Sequence, residues 1–255
     1  MEQWFDTPPG RYLRAWEQAS FDTTVADIFG FHALQLGLPG LDALRTNRMP
    51  HRWLALQPDE GENIRRPDLV LDFHALPLEP HSVDLVAMPH TLERSADPHA
   101  TLREAARVLV PEGKVVICGI NPASLWGLRQ RRAQLCRQLG FGQPFLPQAD
   151  EFIGYRRLRD WLRLLSFEVE ASHFGCWRPA LTTEKWLERY EWMDPMGEHW
   201  WPFFGAVYTI VAVKRVRGMK LMGQPWKRPA KIATAPVPLA NRGQGVSHTK
   251  EELPS

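Results

Sequence analysis

Residues 67–126 constrain the fold more than any other stretch of this chain. Three short runs rich in Val, Ile and Leu, at 69–71, 83–88 and 114–119, have strand character, and the last two are separated by a helical spacing of Leu102, Ala105, Ala106 and Leu109. The runs show little polar alternation, which suits strands covered on both faces. Strand, strand, helix, strand predicts a parallel sheet built from crossover units. Ligands of such sheets bind outside the carboxyl ends of the strands. Here those ends carry Asp72-Phe73-His74-Ala75-Leu76-Pro77 and Pro89-His90-Thr91-Leu92-Glu93.

Asp72 is followed by Leu76-Pro77, the next strand reads Val83-Asp84-Leu85-Val86, and the helix closes on Arg107-Val108-Leu109-Val110-Pro111-Glu112-Gly113. These three motifs, in this order, resemble the class I S-adenosylmethionine-dependent methyltransferases, specifically the type 11 small-molecule branch. The resemblance covers about residues 31–215. It implies an α/β fold with a Rossmann-like, seven-stranded, mostly parallel sheet, strand 7 antiparallel between 5 and 6, and helices on both faces. It also implies S-adenosyl-L-methionine as cofactor and methyl transfer to a small or amphiphilic molecule.

Along the chain, Pro8-Pro9-Gly10 reads as a turn before a helix over 11–29, and strands are expected at 31–36, 51–56, 167–170 and 204–214. A helix is expected over 156–165. The family's first loop follows the pattern acid-x-Gly-x-Gly-x-Gly. In this chain Gln35 stands for the acid, Gly37 matches, Pro39 and Leu41 replace the other glycines, and Gly40 falls one position out of register. Gly40 would supply the backbone freedom that Pro39 removes. Roughly twenty residues on, where an acid would hold the ribose hydroxyls, stands Gln57. The resemblance thus assigns cofactor contact to Gln35, Gly37, Gly40, Gln57, Asp72, Phe73 and Pro89, with Asp72 meeting the adenine amino group and Phe73 beside the base. A glutamine still hydrogen-bonds, without the charge that strengthens such bonds. The alternative reading is a catalytically silent methyltransferase-fold protein that binds a ligand or partner.

Methyl transfer from a sulfonium asks mainly for alignment and exclusion of water. Where the acceptor is a hydroxyl, a general base helps, and His90, just past the fourth strand, is the candidate catalytic residue; a structural histidine is the other reading. Glu93 reads as a loop or helix-start contact. His173, Trp177 and the aromatics of 186–201 are candidates for the acceptor pocket.

With 255 residues, 44% hydrophobic, the chain can bury one substantial core. The division expected is a helical cap at 1–30, the methyltransferase-like domain at 31–215 and a flexible basic tail at 216–255. Cys118, Cys136 and Cys176 lack metal-ligand spacing, so no metal is expected, and they read as reduced cysteines of a cytoplasmic protein. The start carries charges where a signal peptide needs an apolar core, and no run spans a bilayer. The net charge of +2 names no partner, but its distribution is uneven. Eight arginines between Arg129 and Arg163 face only Asp150, Glu151 and Asp160, interleaved with aromatics. They suggest peripheral contact with an anionic membrane or an amphiphilic acceptor. The basic tail has no nucleic-acid recognition motif beside it, so nucleic acid is not the expected partner.

Overall fold

The structure is a computed structural model and describes residues 2–58, 66–138, 145–146 and 152–215. Met1–Arg217 form one compact unit. The expected basic tail at 216–255 lies outside the described residues. Seven strands build one sheet: β1 (His32–Leu36), β2 (His51–Leu56), β3 (Leu69–Val70), β4 (Val83–Pro89), β5 (Leu109–Ile120), β6 (Phe167–Gly175) and β7 (Val207–Lys214). Their order is 3-2-1-4-5-7-6, with β7 antiparallel to both neighbours and the rest parallel. This is the expected mixed sheet.

Side-chain alternation along the strands divides the core in two. Val116, Cys118 and Ile120 of β5 join Val207 and Val211 of β7 on one face, under Leu13, Phe21 and Val25 of helix α2 (Pro8–Ala26). Val115 and Ile117 join Tyr208, Ile210 and Ala212 on the other face. There they pack with Leu102 and Ala105 of α4 (Pro98–Val108) and Leu158 and Leu162 of α6 (Tyr155–Leu164). The other helices of the described residues are α1 (Glu2–Phe5), α3 (Thr91–Arg94), α5 (Leu125–Gln138), α7 (Glu184–Arg189) and α8 (Met193–Trp200). No helix among the described residues is long and apolar enough to cross a membrane.

Three of the boundaries that differ from the sequence reading have a clear physical reason. Pro8-Pro9-Gly10 is no turn but the first turn of α2: Thr7 caps it by accepting from the Gly10 N–H, and Pro is tolerated where no intrahelical N–H partner exists. Leu109 leaves the helix and opens β5, which pairs there with Val83. Phe204 belongs to a 3-10 turn (Pro202–Phe204) instead of β7.

The motif acid Asp84 has a structural task. Its Oδ2 accepts the N–H groups of Phe31 and His32 at 2.8 and 2.9 Å, closing the entry to β1. A Cβ on Gly30 would lie 2.4 Å from the Asp84 side chain, so the glycine makes room for this clasp.

Candidate active site

The strand order sets the carboxyl ends of β3, β2, β1 and β4 side by side, one strand spacing of about 4.8 Å apart. Asp72, Gln57, Gly37 and His90 follow those four ends in turn. Each neighbour in this row comes from a different stretch of sequence, and the crossovers bring them together.

Gly37 adopts φ 76° and Leu38 φ 49°, so the left-handed turn falls on these two residues and not on Gly40. The Gly37 N–H donates to the Ala55 carbonyl at 2.8 Å, holding the loop against β2. Gln35 is buried beneath the loop. Its Nε2 donates to the carbonyls of Gly37, Leu38 and Leu41 at 3.1, 3.2 and 2.7 Å, and its Oε1 accepts from the Ala43 N–H at 2.9 Å. A carboxylate can only accept, so it could not make the first three bonds. Gln35 is therefore a staple within a loop of altered shape, whose Leu38 and Leu41 are buried with Phe5 and Ala43.

Gln57 is half-buried at the exit of β2, and the acids after it, Asp59 and Glu60, lie outside the described residues. Asp72 is 60% exposed at the exit of β3. Its Oδ1 accepts from the His74 N–H at 2.8 Å and lies 2.9 Å from His74 Nδ1. The Asp97 N–H donates to His74 Nε2, which fixes the ring proton on Nδ1, facing Asp72. Phe73 differs from expectation: its ring is buried in the core under α4, leaving only its backbone at the strand end. Pro89 ends β4 opposite Cys118 and is buried.

His90 has φ 52° and continues the β4–β5 ladder through its N–H to the Cys118 carbonyl at 3.0 Å. Its ring is fully buried between two carboxylates, with Nε2 2.6 Å from Glu17 Oε1 and Nδ1 2.7 Å from Glu93 Oε2. Burial alone would lower its pKa; Glu17 and Glu93 outweigh burial and raise it to about 10. Burial in turn raises the Glu93 carboxyl, partly offset by His90 and by the Ile120 N–H that Glu93 accepts. A ring with both nitrogens engaged and its proton retained differs from the general base expected, which must be proton-free and reach the acceptor. Held by Glu17 on one side and Glu93 on the other, it ties α2 to the exit of β4.

Sequence reading overlooked Glu17, though a signal was present. Leu13, Glu17, Phe21 and Val25 follow a four-residue spacing on one helical stripe, and a charge on a core-facing stripe demands a partner. Glu17, His90 and Cys118 also offer donor atoms within 4.8 Å of one another, although the sequence spacing showed no metal set. The 2.6 Å contact closes that group, since ligands of a zinc-sized ion sit about 3.3 Å or more apart.

Two expected acceptor residues meet in a cleft of about 430 Å³ between α2 and β6. His173 and Trp177 line it with Trp16, Ser20, Phe174 and Glu198.

The methyltransferase domain family matches residues 54–117, which run from the second half of β2 through most of β5. An uncharacterized protein of Escherichia coli K12, YafS, is 31% identical over 67% of this chain and 67% of its own length. The chain belongs to the class I S-adenosylmethionine-dependent methyltransferases. A demethylmenaquinone methyltransferase of Chlamydia pneumoniae is 47% identical over 51 residues, 20% of this chain and 22% of that one. Among solved structures, a SAM-dependent methyltransferase of Thermotoga maritima superposes with a TM-score of 0.56 over 84% of this chain and 94% of that chain, at 19% identity, a likeness of fold.

S-adenosylmethionine is the cofactor that membership in this methyltransferase family implies. The donor set fits its adenosine half: an exposed, His74-oriented carboxylate at Asp72 and an amide at Gln57, one strand apart. Toward the methionine half, Gln35 has its amide committed to the loop, and the backbone of Gly37 remains.

Proposed function

We propose that this protein transfers the methyl group of S-adenosylmethionine to a small or amphiphilic acceptor. The observation that carries the reading is the alignment of Gly37, Gln57 and Asp72 on three adjacent strand ends. Asp72 accepts a hydrogen bond from the adenine amino group, and His74 keeps its carboxylate in place. Gln57 binds the ribose hydroxyls through neutral hydrogen bonds, weaker than those of an acid. The backbone at Gly37 meets the methionine portion, with Gly40, the Phe73 backbone and Pro89 as surrounding wall.

When bound, the cofactor supplies a methyl group already activated on a sulfonium. This chain contributes alignment and the exclusion of water. His90, with its proton held between Glu17 and Glu93, fixes the wall where β4 meets α2 and takes no proton from the acceptor. The cleft at His173 and Trp177 is the proposed acceptor entry. One relative is named for demethylmenaquinone, yet its 51-residue match is too short to assign the acceptor here. We assign the protein to the cytoplasm, which three unpaired cysteines support.

Calorimetry with S-adenosylmethionine and S-adenosylhomocysteine tests the reading. Both should bind, and Asp72→Ala should weaken them by about 1–3 kcal/mol. No heat at millimolar cofactor would favour the silent ligand-binding module, a reading to which the committed amide of Gln35 lends support.

A further inference from the structure

Helix α5 turns the wrong face to water. Its inward side carries Trp126, Gly127 and Gln130, all buried; Trp126 donates from Nε1 to the Arg178 carbonyl, and Gln130 Oε1 accepts the N–H groups of Phe145 and Leu146. The opposite side, at 100° per residue, presents Leu125, Leu128 and Leu135, which are 50, 55 and 62% exposed. Arg132 lies among these leucines, and Arg129 and Arg131 flank them, all exposed. The helix contains no acidic residue. A solvated helix ordinarily puts its leucines inward, so three exposed ones in a row need a covering surface.

A second observation lies beside it. Asn121, four residues before α5, donates from Nδ2 to the carbonyls of Phe203 and Gly205 at 2.8 and 3.0 Å. It anchors a segment in which Trp200, Trp201, Phe203 and Phe204 are 69, 52, 63 and 56% exposed. Tryptophan exposed in this way suits the boundary between headgroups and acyl chains.

We propose that α5 docks this protein on an anionic membrane surface, its leucines entering the headgroup boundary, its arginines on lipid phosphates and the aromatic segment at the same depth. The charge decides between occupants. A second copy across a two-fold axis would set the arginine stripe against itself. A nucleic acid would satisfy the arginines and leave the leucines bare. An anionic leaflet satisfies both, and the arginine stems reach from apolar contact to headgroup. The proposal deepens the functional reading, on which it rests for one consequence only: the acceptor is a molecule dissolved in or adsorbed to the bilayer.

The test is co-sedimentation of the full chain with vesicles of phosphatidylcholine alone and with added phosphatidylglycerol. Binding should require the anionic lipid and fall as salt screens it. Leu128→Asp with Leu135→Asp, and separately Arg131→Glu with Arg132→Glu, should each cut binding by about tenfold or more. Calorimetric cofactor affinity should stay unchanged in both variants, which separates loss of docking from failure of the methyl-transfer reading. Equal binding to both vesicles, binding to neither, or undiminished binding by both variants would overturn the proposal. So would a dimer in solution that Leu128→Asp dissolves, or nucleic-acid binding that lipid does not compete.

Discussion

Glu17 and His90 stand 73 positions apart in sequence and meet at 2.6 Å in the core, neither side chain exposed. The contact joins helix α2 to the end of β4, and Glu93 completes it from the far side of the ring. Removing one partner of a buried ion pair strands the other charge. Glu17→Ala should therefore lower unfolding free energy by about 3–5 kcal/mol, measured by urea denaturation. Glu17→Gln keeps a hydrogen bond and should lose less.

The same cluster sets a pH dependence. The folded-state pKa of His90, about 10, lies above its value in an unfolded chain, so the folded state holds the proton more tightly. The stabilisation is complete below about pH 6.5 and is lost as pH rises toward 10. Glu93, whose carboxyl is raised by burial, acts in the same direction at lower pH. Melting temperature should fall steadily between pH 6.5 and 10, by roughly 2–4 °C for each kcal/mol withdrawn. The slope should flatten in His90→Gln.

Gln35 makes a less intuitive prediction. Restoring the family acid by Gln35→Glu should damage the protein, because three carbonyls now facing a donor would face a carboxylate. We expect a loss of about 2–4 kcal/mol in denaturant unfolding. At the exit of β2, Gln57→Glu should tighten cofactor binding in calorimetry by restoring a charged acceptor.

Gly175 fixes how closely α2 approaches β6. A Cβ there would lie 1.9 Å from the Trp16 ring, so Gly175→Ala forces the indole out of the cleft it lines. We expect about 1–3 kcal/mol of destabilisation, with a shift in tryptophan emission.

The sheet was legible because its strands are short apolar runs whose order follows from the motifs that close them. Val83-Asp84-Leu85-Val86 and the Leu76-Pro77 turn build the frame, as Asp84 clasping β1 demonstrates. The site was legible at Asp72 and Gly37 only as far as their places just past the ends of β3 and β1, which the strand order sets. It was not legible at Gln35 and His90. Both take their character from groups brought in by tertiary contact: three loop carbonyls in one case, and a glutamate from α2 with another from α3 in the other. Residue type and local spacing do not report such partners. Glu17 was the exception, since a charge within an apolar stripe announces that something distant must answer it.

Helix α2 also bears on how the chain assembles. It leaves the ribosome before the strands it packs on, yet His90 reaches it 73 residues later, and the Ser20 hydroxyl finds Thr209 only 189 residues on. Until β7 exists, a helix with Leu13, Phe21, Val25 and a buried-state carboxylate on one stripe lacks part of the face it closes against. Pairings this remote are slow to form, and the apolar stripe is exposed throughout the wait. Completion of the fold is then a late event in synthesis, gated by the arrival of the last strand.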